Sequence, residues 1–214
     1  MYSHHYHYAA FDMDGTLLDS MQYWRHSIEE FLRAHGSNAE AVELQEKLSA
    51  MPIASGIAFV QDVCREAGIR AMTWEDDMAI MKAHYAHDIQ PKPGVAAFLQ
   101  ELKRSGVPMC VATATPRELA EFALRVAGLN SYFDFVLGPE DYPLGKGDRA
   151  VFDGILARFG STAADTAIFE DALYSLRTAK SVGFYCVGIA DPTAEAHRDE
   201  IRQLADEYYE TYAG

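Results

Sequence analysis

An α/β fold built on a parallel sheet is predicted by two observations. After about residue 90, apolar runs of four to six residues alternate with helical patterns, and several of those runs end in hydroxyl or carboxylate residues. A third observation adds an inserted helical domain: between Ser20 and His87 the pattern is helical and carries no strand. The expected strands are Tyr6 to Phe11, Pro108 to Ala112, Phe135 to Leu137, Thr166 to Phe169 and Tyr185 to Ile189.

The first strand rests on Tyr8-Ala9-Ala10-Phe11, a short apolar run followed by Asp12-Met13-Asp14-Gly15-Thr16. Gly15-Thr16 reads as a sharp exit, which places both Asp residues at the strand's C-terminal end. Carboxylates at i and i+2 raise one another's pKa unless positive charge sits between them, and a divalent cation would resolve that conflict. Ahead of the strand, His4, His5 and His7 alternate with Tyr6 and Tyr8, but no Cys or further His follows at a ligand spacing. That stretch reads as an exposed, partly frayed start of the strand.

The helical insertion opens after Leu17-Leu18-Asp19-Ser20, and its first helix carries Trp24, Ile28, Phe31 and Leu32 on one face before ending near Gly36. The return linker is Asp88-Ile89-Gln90-Pro91-Lys92-Pro93-Gly94, where two prolines stiffen an extended connection. The expected division is therefore a core of residues 1–19 and 90–214 and a helical domain of residues 20–89.

Beyond the linker, Val107 to Ala112 runs into Thr113-Ala114-Thr115-Pro116, a hydroxyl followed by free backbone N–H groups and a proline suited to a first helical turn. Lys146, isolated in Leu144-Gly145-Lys146-Gly147-Asp148, supplies a cation before a helix expected near Asp148. Thr166 to Phe169 then delivers Glu170-Asp171, whose hard oxygens suit magnesium. Taken singly, Thr113 also fits a helix N-cap, Lys146 a surface charge and Glu170-Asp171 first-turn acids. All of them at strand ends point to one phosphoryl site. In the tail, Glu195 to Tyr209 reads as an amphipathic helix packing on the sheet.

A chain of 214 residues accommodates one core domain and a modest insertion. Cys64, Cys110 and Cys186 are odd in number and lie in apolar contexts, so reduced buried thiols in a reducing cytoplasm are expected. No run approaches eighteen apolar residues and no cationic-then-apolar leader opens the chain, which argues against a membrane span and secretion. A net charge of −14 argues against a nucleic-acid surface. An anionic substrate would have to be attracted locally, by Lys146 and a bound cation, against the overall field.

The order and spacing of Asp12-Met13-Asp14-Gly15-Thr16, Thr113, Lys146 with Phe152 six residues on, and Glu170-Asp171 followed by Gly183 resemble the haloacid dehalogenase (HAD) superfamily. The likeness is to its β-phosphoglucomutase-like phosphatases, which carry a helical cap. It implies a Rossmann-like parallel-sheet core with an inserted α-helical cap domain, and a Mg2+-dependent reaction through an aspartyl-phosphate. By the resemblance, Asp12 is the nucleophile and Asp14 the acid that then serves as base. Thr113, the Ala114 N–H and Lys146 would hold the transferring phosphoryl group. Mg2+ would be held by Asp12, the Asp14 backbone carbonyl and Asp171, with Glu170 in support. The cap would open and close over the nucleophile and exclude water.

Departures from the family pattern bear on function. Ala172 stands where many relatives have Ser, and Lys146-Gly147-Asp148-Arg149 replaces Lys-Pro-x-Pro. Trp24 stands where the mutase branch carries His, and it serves as a candidate substrate-binding residue or as a core anchor of its helix. Ser37 to Cys64 holds one cation, Lys47, and no Arg to grip a second phosphate. The expected function is a magnesium-dependent phosphatase acting on a small, sugar-phosphate-like metabolite. A sugar-phosphate mutase and a non-catalytic metabolite-binding protein of the same fold are the alternatives. No nucleic-acid or membrane partner is expected, and the protein is taken as a monomer.

Overall fold

The computed structural model describes residues 5–36, 53–142 and 144–213, with the side chains of the second segment described from residue 59. Six strands, β1 (Tyr8–Phe11), β2 (Met109–Ala112), β3 (Phe135–Leu137), β4 (Thr166–Glu170), β5 (Tyr185–Ile189) and β6 (Glu207–Tyr209), pair in parallel in the order β3-β2-β1-β4-β5-β6. Parallel neighbours require crossovers, and the chain supplies them as helices α4 (Val95–Arg104), α5 (Arg117–Val126), α6 (Ala150–Phe159), α7 (Leu173–Val182) and the short α8 (Arg198–Leu204). Central β1 and β4 are buried on both faces, as such sheets demand. Ala10, Ile168 and Cys186 pack with Phe152, Ile155 and Leu176 of α6 and α7. On the alternate positions Phe11 stacks on Phe169 at 4.3 Å, with Phe98 of α4 set against both rings. β1 is central, and the chain grows outward first through β2 and β3, then through β4 to β6. The C-terminal edge beside β1 is thus a topological switch point, where open α/β sheets bind ligands.

The chain divides into two compact units, Met1–Ser20 with Ile89–Gly214, and Met21–Asp88. The second contains α1 (Met21–Ala34), α2 (Ile53–Glu66) and α3 (Trp74–His87). Phe31 and Leu32 of α1 pack with Val60 and Cys64 of α2, and Ile28, Phe59 and Ile80 close the cluster. Thr73 starts α3 with a reciprocal cap in which its hydroxyl accepts from the Asp76 N–H and the Asp76 carboxylate accepts from the Thr73 N–H. Lys47 lies outside the described residues.

Two expectations need correction. The segment Glu195 to Tyr209 is not one helix: it is a 3-10 turn (Pro192–His197), the seven-residue α8 and the edge strand β6. The helix stops because Asp206 turns its carboxylate to the Cys186 N–H and its ammonium partner Lys180, and the following Glu-Tyr-Tyr pairs with β5. Gly188 permits this, since a Cβ there would come within 2.6 Å of Ile201 and 2.8 Å of Tyr208. Of the stretch ahead of β1, His4 lies outside the described residues and His5 and His7 are exposed as expected, but Tyr6 is not. Tyr6 is buried and His5 stacks on Tyr185, although the β1 ladder begins only at Tyr8. All three cysteines are buried and free, as expected. No helix among the described residues is long and apolar enough to cross a membrane.

Within the helical unit, His84 lies between Glu30 and Asp88, at 2.8 Å from each, with the Tyr23 ring 4.7 Å away. Burial opposes its protonation, but the hydrogen bonds to Asp88 and Glu30 outweigh burial and raise its pKa above the usual histidine value. A raised folded-state pKa gives stability that is fully present below the unfolded value and is lost as pH rises through the folded one. Thermal unfolding of the whole chain should therefore show a loss from pH 6 to pH 8 that His84→Gln removes. Because both acids are partly exposed, the effect should stay below about 1 kcal/mol. An unchanged pH slope in the variant would assign the loss to other groups.

Candidate active site

The site is built at the C-terminal ends of β1, β2 and β4. Asp12 follows β1, and its N–H donates to the Phe169 carbonyl of β4 at 2.9 Å. After it the chain turns tightly, with the Gly15 N–H donating to the Leu18 carbonyl and the Leu17 and Leu18 N–H groups to the Met13 carbonyl. Gly15 adopts φ +86°, a left-handed conformation that glycine enters without strain. This loop presents two carboxylates in different environments.

Asp12 is buried, and Lys146 Nζ donates to its Oδ1 at 2.5 Å and to Glu170 Oε2 at 2.8 Å. Asp12 Oδ2 is buried with no hydrogen-bond partner among the described residues. Asp14 has both oxygens occupied by hydroxyls, Ser20 Oγ donating to Oδ1 and Thr115 Oγ1 to Oδ2, each at 2.7 Å. Asp14 is not one of the acidic cluster, which consists of Asp12, Glu170 and Asp171 with one oxygen of each within 4.8 Å of the others.

Glu170 accepts from three neighbours: Lys146, Ser175 Oγ at 3.0 Å and the Ala172 N–H at 3.1 Å. Asp171 Oδ1 accepts from Thr16 Oγ1 at 3.1 Å, which ties the β1 loop to the end of β4. Thr113 follows β2, its N–H donating to Leu137 and its hydroxyl oxygen accepting from the Thr115 N–H at 3.1 Å. Its carbonyl is held by the Tyr142 hydroxyl at 2.8 Å. Ala114 is exposed beside it. The loop helix begins at Ala150, slightly later than expected, where the Asp148 carboxylate accepts the Ala150 N–H.

Electrostatics follow from three buried acids around one ammonium. Burial works against charge on Lys146, but Asp12 and Glu170 outweigh it and hold the pKa far above the lysine range. Burial pushes Asp12 up to about 7 against the pull of Lys146, with Glu170 and Asp14 adding to the rise. Asp171 is raised well above the usual carboxylate range by burial first, then by Asp12, Glu170 and Asp191. A single lysine leaves the cluster short of positive charge.

The ends of β1, β2 and β4 thus carry Asp12, Asp14, Thr113, Glu170 and Asp171, and the loop before α6 brings Lys146 to Asp12 and Glu170. Trp24 belongs to the helical unit, where its indole N–H donates to the Tyr85 hydroxyl at 3.1 Å and anchors α1 on α3. Ser20, Thr115 and Ser175 were not singled out by sequence, although each fixes a carboxylate of the site.

A family model described as haloacid dehalogenase-like hydrolase matches residues 6–183. The chain belongs to that family. It is 27% identical over 205 residues to a validoxylamine A 7'-phosphate phosphatase from Streptomyces hygroscopicus subsp. limoneus, covering 89% of this chain and 91% of the relative. A phosphorylated carbohydrates phosphatase from Thermotoga maritima is 23% identical over 183 residues, covering 82% of this chain and 81% of its own. Among solved structures, CbbY from Rhodobacter sphaeroides in complex with phosphate superposes with a TM-score of 0.75 at 22% identity, covering 97% of this chain and 95% of that one. That likeness shows the HAD fold, a parallel α/β sheet with helical additions.

Proposed function

We propose that this HAD hydrolase is a phosphatase that releases phosphate from a small phosphorylated metabolite through an aspartyl-phosphate on Asp12. The observation that carries the reading is the division of labour between the two loop carboxylates. Asp12 is pinned through one oxygen by a buried lysine with its other oxygen unpartnered, and Asp14 is held apart by two hydroxyls. The names of the two curated relatives support a phosphorylated, carbohydrate-like substrate.

The residues fit a magnesium ion, since the orphaned Asp12 Oδ2 and Asp171 offer hard oxygen donors within one cluster. Asp12, Asp171 and the Asp14 backbone carbonyl would hold it, and Glu170, which accepts from Lys146, Ser175 and Ala172, would support the others. The bound cation would supply the positive charge that offsets repulsion between a carboxylate nucleophile and a phosphate dianion.

This chain's own groups then perform the transfer. Asp12 attacks phosphorus, the phosphorus–oxygen bond to the leaving group breaks, and Asp14 gives its proton to the departing alkoxide. The carboxylate left on Asp14 takes a proton from water as that water attacks the aspartyl-phosphate, which restores both acids. Thr113, Ala114 and Lys146 hold the equatorial oxygens. Ser20 and Thr115 position Asp14 for both steps. The helical unit selects the substrate, as a cap domain of residues 20–89. Trp24 in the place of the mutase branch's His and the absence of Arg from Ser37 to Cys64 favour hydrolysis over return of phosphate to a sugar, because a mutase must grip a bisphosphate in two orientations.

Turnover of p-nitrophenyl phosphate tests the reading. EDTA should abolish it, magnesium should restore it and calcium should restore it poorly, because a looser coordination sphere misplaces the nucleophile. Full activity in the thoroughly demetallated protein would refute the role given to the cation. Efficient conversion of β-glucose 1-phosphate to glucose 6-phosphate, outpacing free phosphate, would refute hydrolysis as the main outcome.

A further inference from the structure

Lys92 and Asp191 form a buried ion pair that the proposed mechanism does not use. Lys92 Nζ donates to Asp191 Oδ2 and to the Ala190 carbonyl, both at 2.9 Å. Asp191 Oδ1 accepts from the Thr193 N–H at 2.9 Å and from its hydroxyl at 2.6 Å. The lysine side chain is 10% exposed and the aspartate side chain 1%. Through its own N–H, Lys92 also holds the Leu17 carbonyl at 2.9 Å, where the loop carrying Asp12 and Asp14 ends.

This pair stands close to the acidic cluster. β4 and β5 are neighbours with Glu170 opposite Gly188, so Asp191 leaves β5 at the same edge from which Asp171 leaves β4. Adjacent strands and residue rise put the two Asp backbones roughly 8 Å apart. Burying both charges of a pair gives little net stability over an apolar pair of the same size. A charge fixed beside a cation site changes its cation affinity, a negative one raising it and a positive one lowering it.

We infer that Lys92 and Asp191 are positioning residues that set the magnesium affinity of the Asp12, Glu170 and Asp171 cluster. The inference rests on the cation site proposed above. Asp191 adds attraction for a divalent cation, and Lys92 cancels most of it at short range. Neutralising either partner therefore unmasks the field of the other.

Magnesium binding to the whole chain, followed by calorimetry, separates this role from a structural one. Lys92→Gln leaves Asp191 uncompensated and should tighten binding about fivefold, whereas Asp191→Asn leaves the ammonium and should weaken it about fivefold, the order expected for one unit charge near 10 Å in a partly hydrated site. The double variant should bind within about twofold of the wild type, since both charges are gone. A merely structural pair predicts shifts of one direction in both single variants, because each breaks the same contact. Shifts of the same sign, a shift in one variant only, or none in either would overturn the inference. Should Lys92→Gln fail to fold, Lys92→Arg takes its place: it keeps the charge and should bind as the wild type does, while Asp191→Asn still weakens binding. Equal affinities of Asp191→Asn and the wild type would then overturn it. A wild-type chain that binds no magnesium would instead refute the cation site itself and the inference with it.

Discussion

Asp12→Asn is expected to abolish phosphomonoester turnover while leaving the protein folded. The amide keeps the size of the side chain, and it can still accept from Lys146 through its carbonyl oxygen, but it cannot form an acyl-phosphate as a neutral, poorly nucleophilic group. The buried site should even tolerate the change well, because one of three crowded carboxylates disappears. Asp14→Asn offers the contrast. Its amide oxygen still accepts from one of the Ser20 and Thr115 hydroxyls while its NH2 must donate to the other, and it should slow both half-reactions by about 10²–10⁴-fold, the usual worth of general acid–base catalysis. Circular dichroism and steady-state kinetics on the two variants check both statements. Near-normal turnover by Asp12→Asn, with contaminating phosphatase excluded, would remove Asp12 from the mechanism.

Lys146→Met carries the second large effect, and it acts on stability as well as on rate. Removing one partner from a buried ion pair leaves the other charges uncompensated and typically costs about 3–5 kcal/mol. Here three buried carboxylates would face one another, with Asp12 losing the one bond that holds its Oδ1 and Glu170 keeping Ser175 and the Ala172 N–H. Urea denaturation should show the deficit in the metal-free protein, and magnesium should recover part of it by supplying positive charge to the same oxygens. Turnover should fall by at least the roughly 10²-fold typical of a lost charge-stabilising donor.

The pH dependence of that deficit has a definite sign. Asp12 is pushed up to about 7 from an ordinary 3.8, so between about pH 4 and pH 7 the folded chain keeps a proton that the unfolded chain has lost. Metal-free stability contributed by this group therefore falls as pH rises through that window. Without Lys146 the carboxylates lose the charge that opposes their protonation, so the variant should be closer to wild type at pH 5 than at pH 8. A deficit that is largest at pH 5 would contradict the electrostatic account.

Much of this site was legible because its residues are chemically costly where they stand. Paired acids after an apolar run, a lone lysine between glycines and a second acid pair are hard to place in a fold without a shared purpose, and strand ends are where a parallel sheet gathers them. The supports were not legible. Thr115 lies 101 residues from the Asp14 carboxylate it holds, and a hydroxyl in sequence gives no sign of its partner. Ser175 likewise looks like an ordinary helical residue until it meets Glu170.

The tail shows a different limit. Helical periodicity from Glu195 onward is real as far as Leu204, but β6 forms because the sheet has an open edge at β5 and Gly188 leaves room for Tyr208. That cause lies in a distant strand, although Glu-Tyr-Tyr, rich in residues that favour strands, was a local hint. Lys92 and Asp191 were visible only as a linker lysine and a turn acid, and their partnership across 99 residues belongs to the folded state alone.

Covalent capture at Asp12 tests the central claim most directly. The protein would be quenched in acid during turnover of a phosphomonoester with magnesium, reduced with borohydride and digested, and the peptide containing Phe11-Asp12-Met13 examined by mass spectrometry. An acyl-phosphate is reduced to the alcohol, so the account predicts homoserine at position 12, dependent on substrate and absent from Asp12→Asn. Turnover that proceeds with residue 12 unmodified, or with the label on another carboxylate, would contradict it.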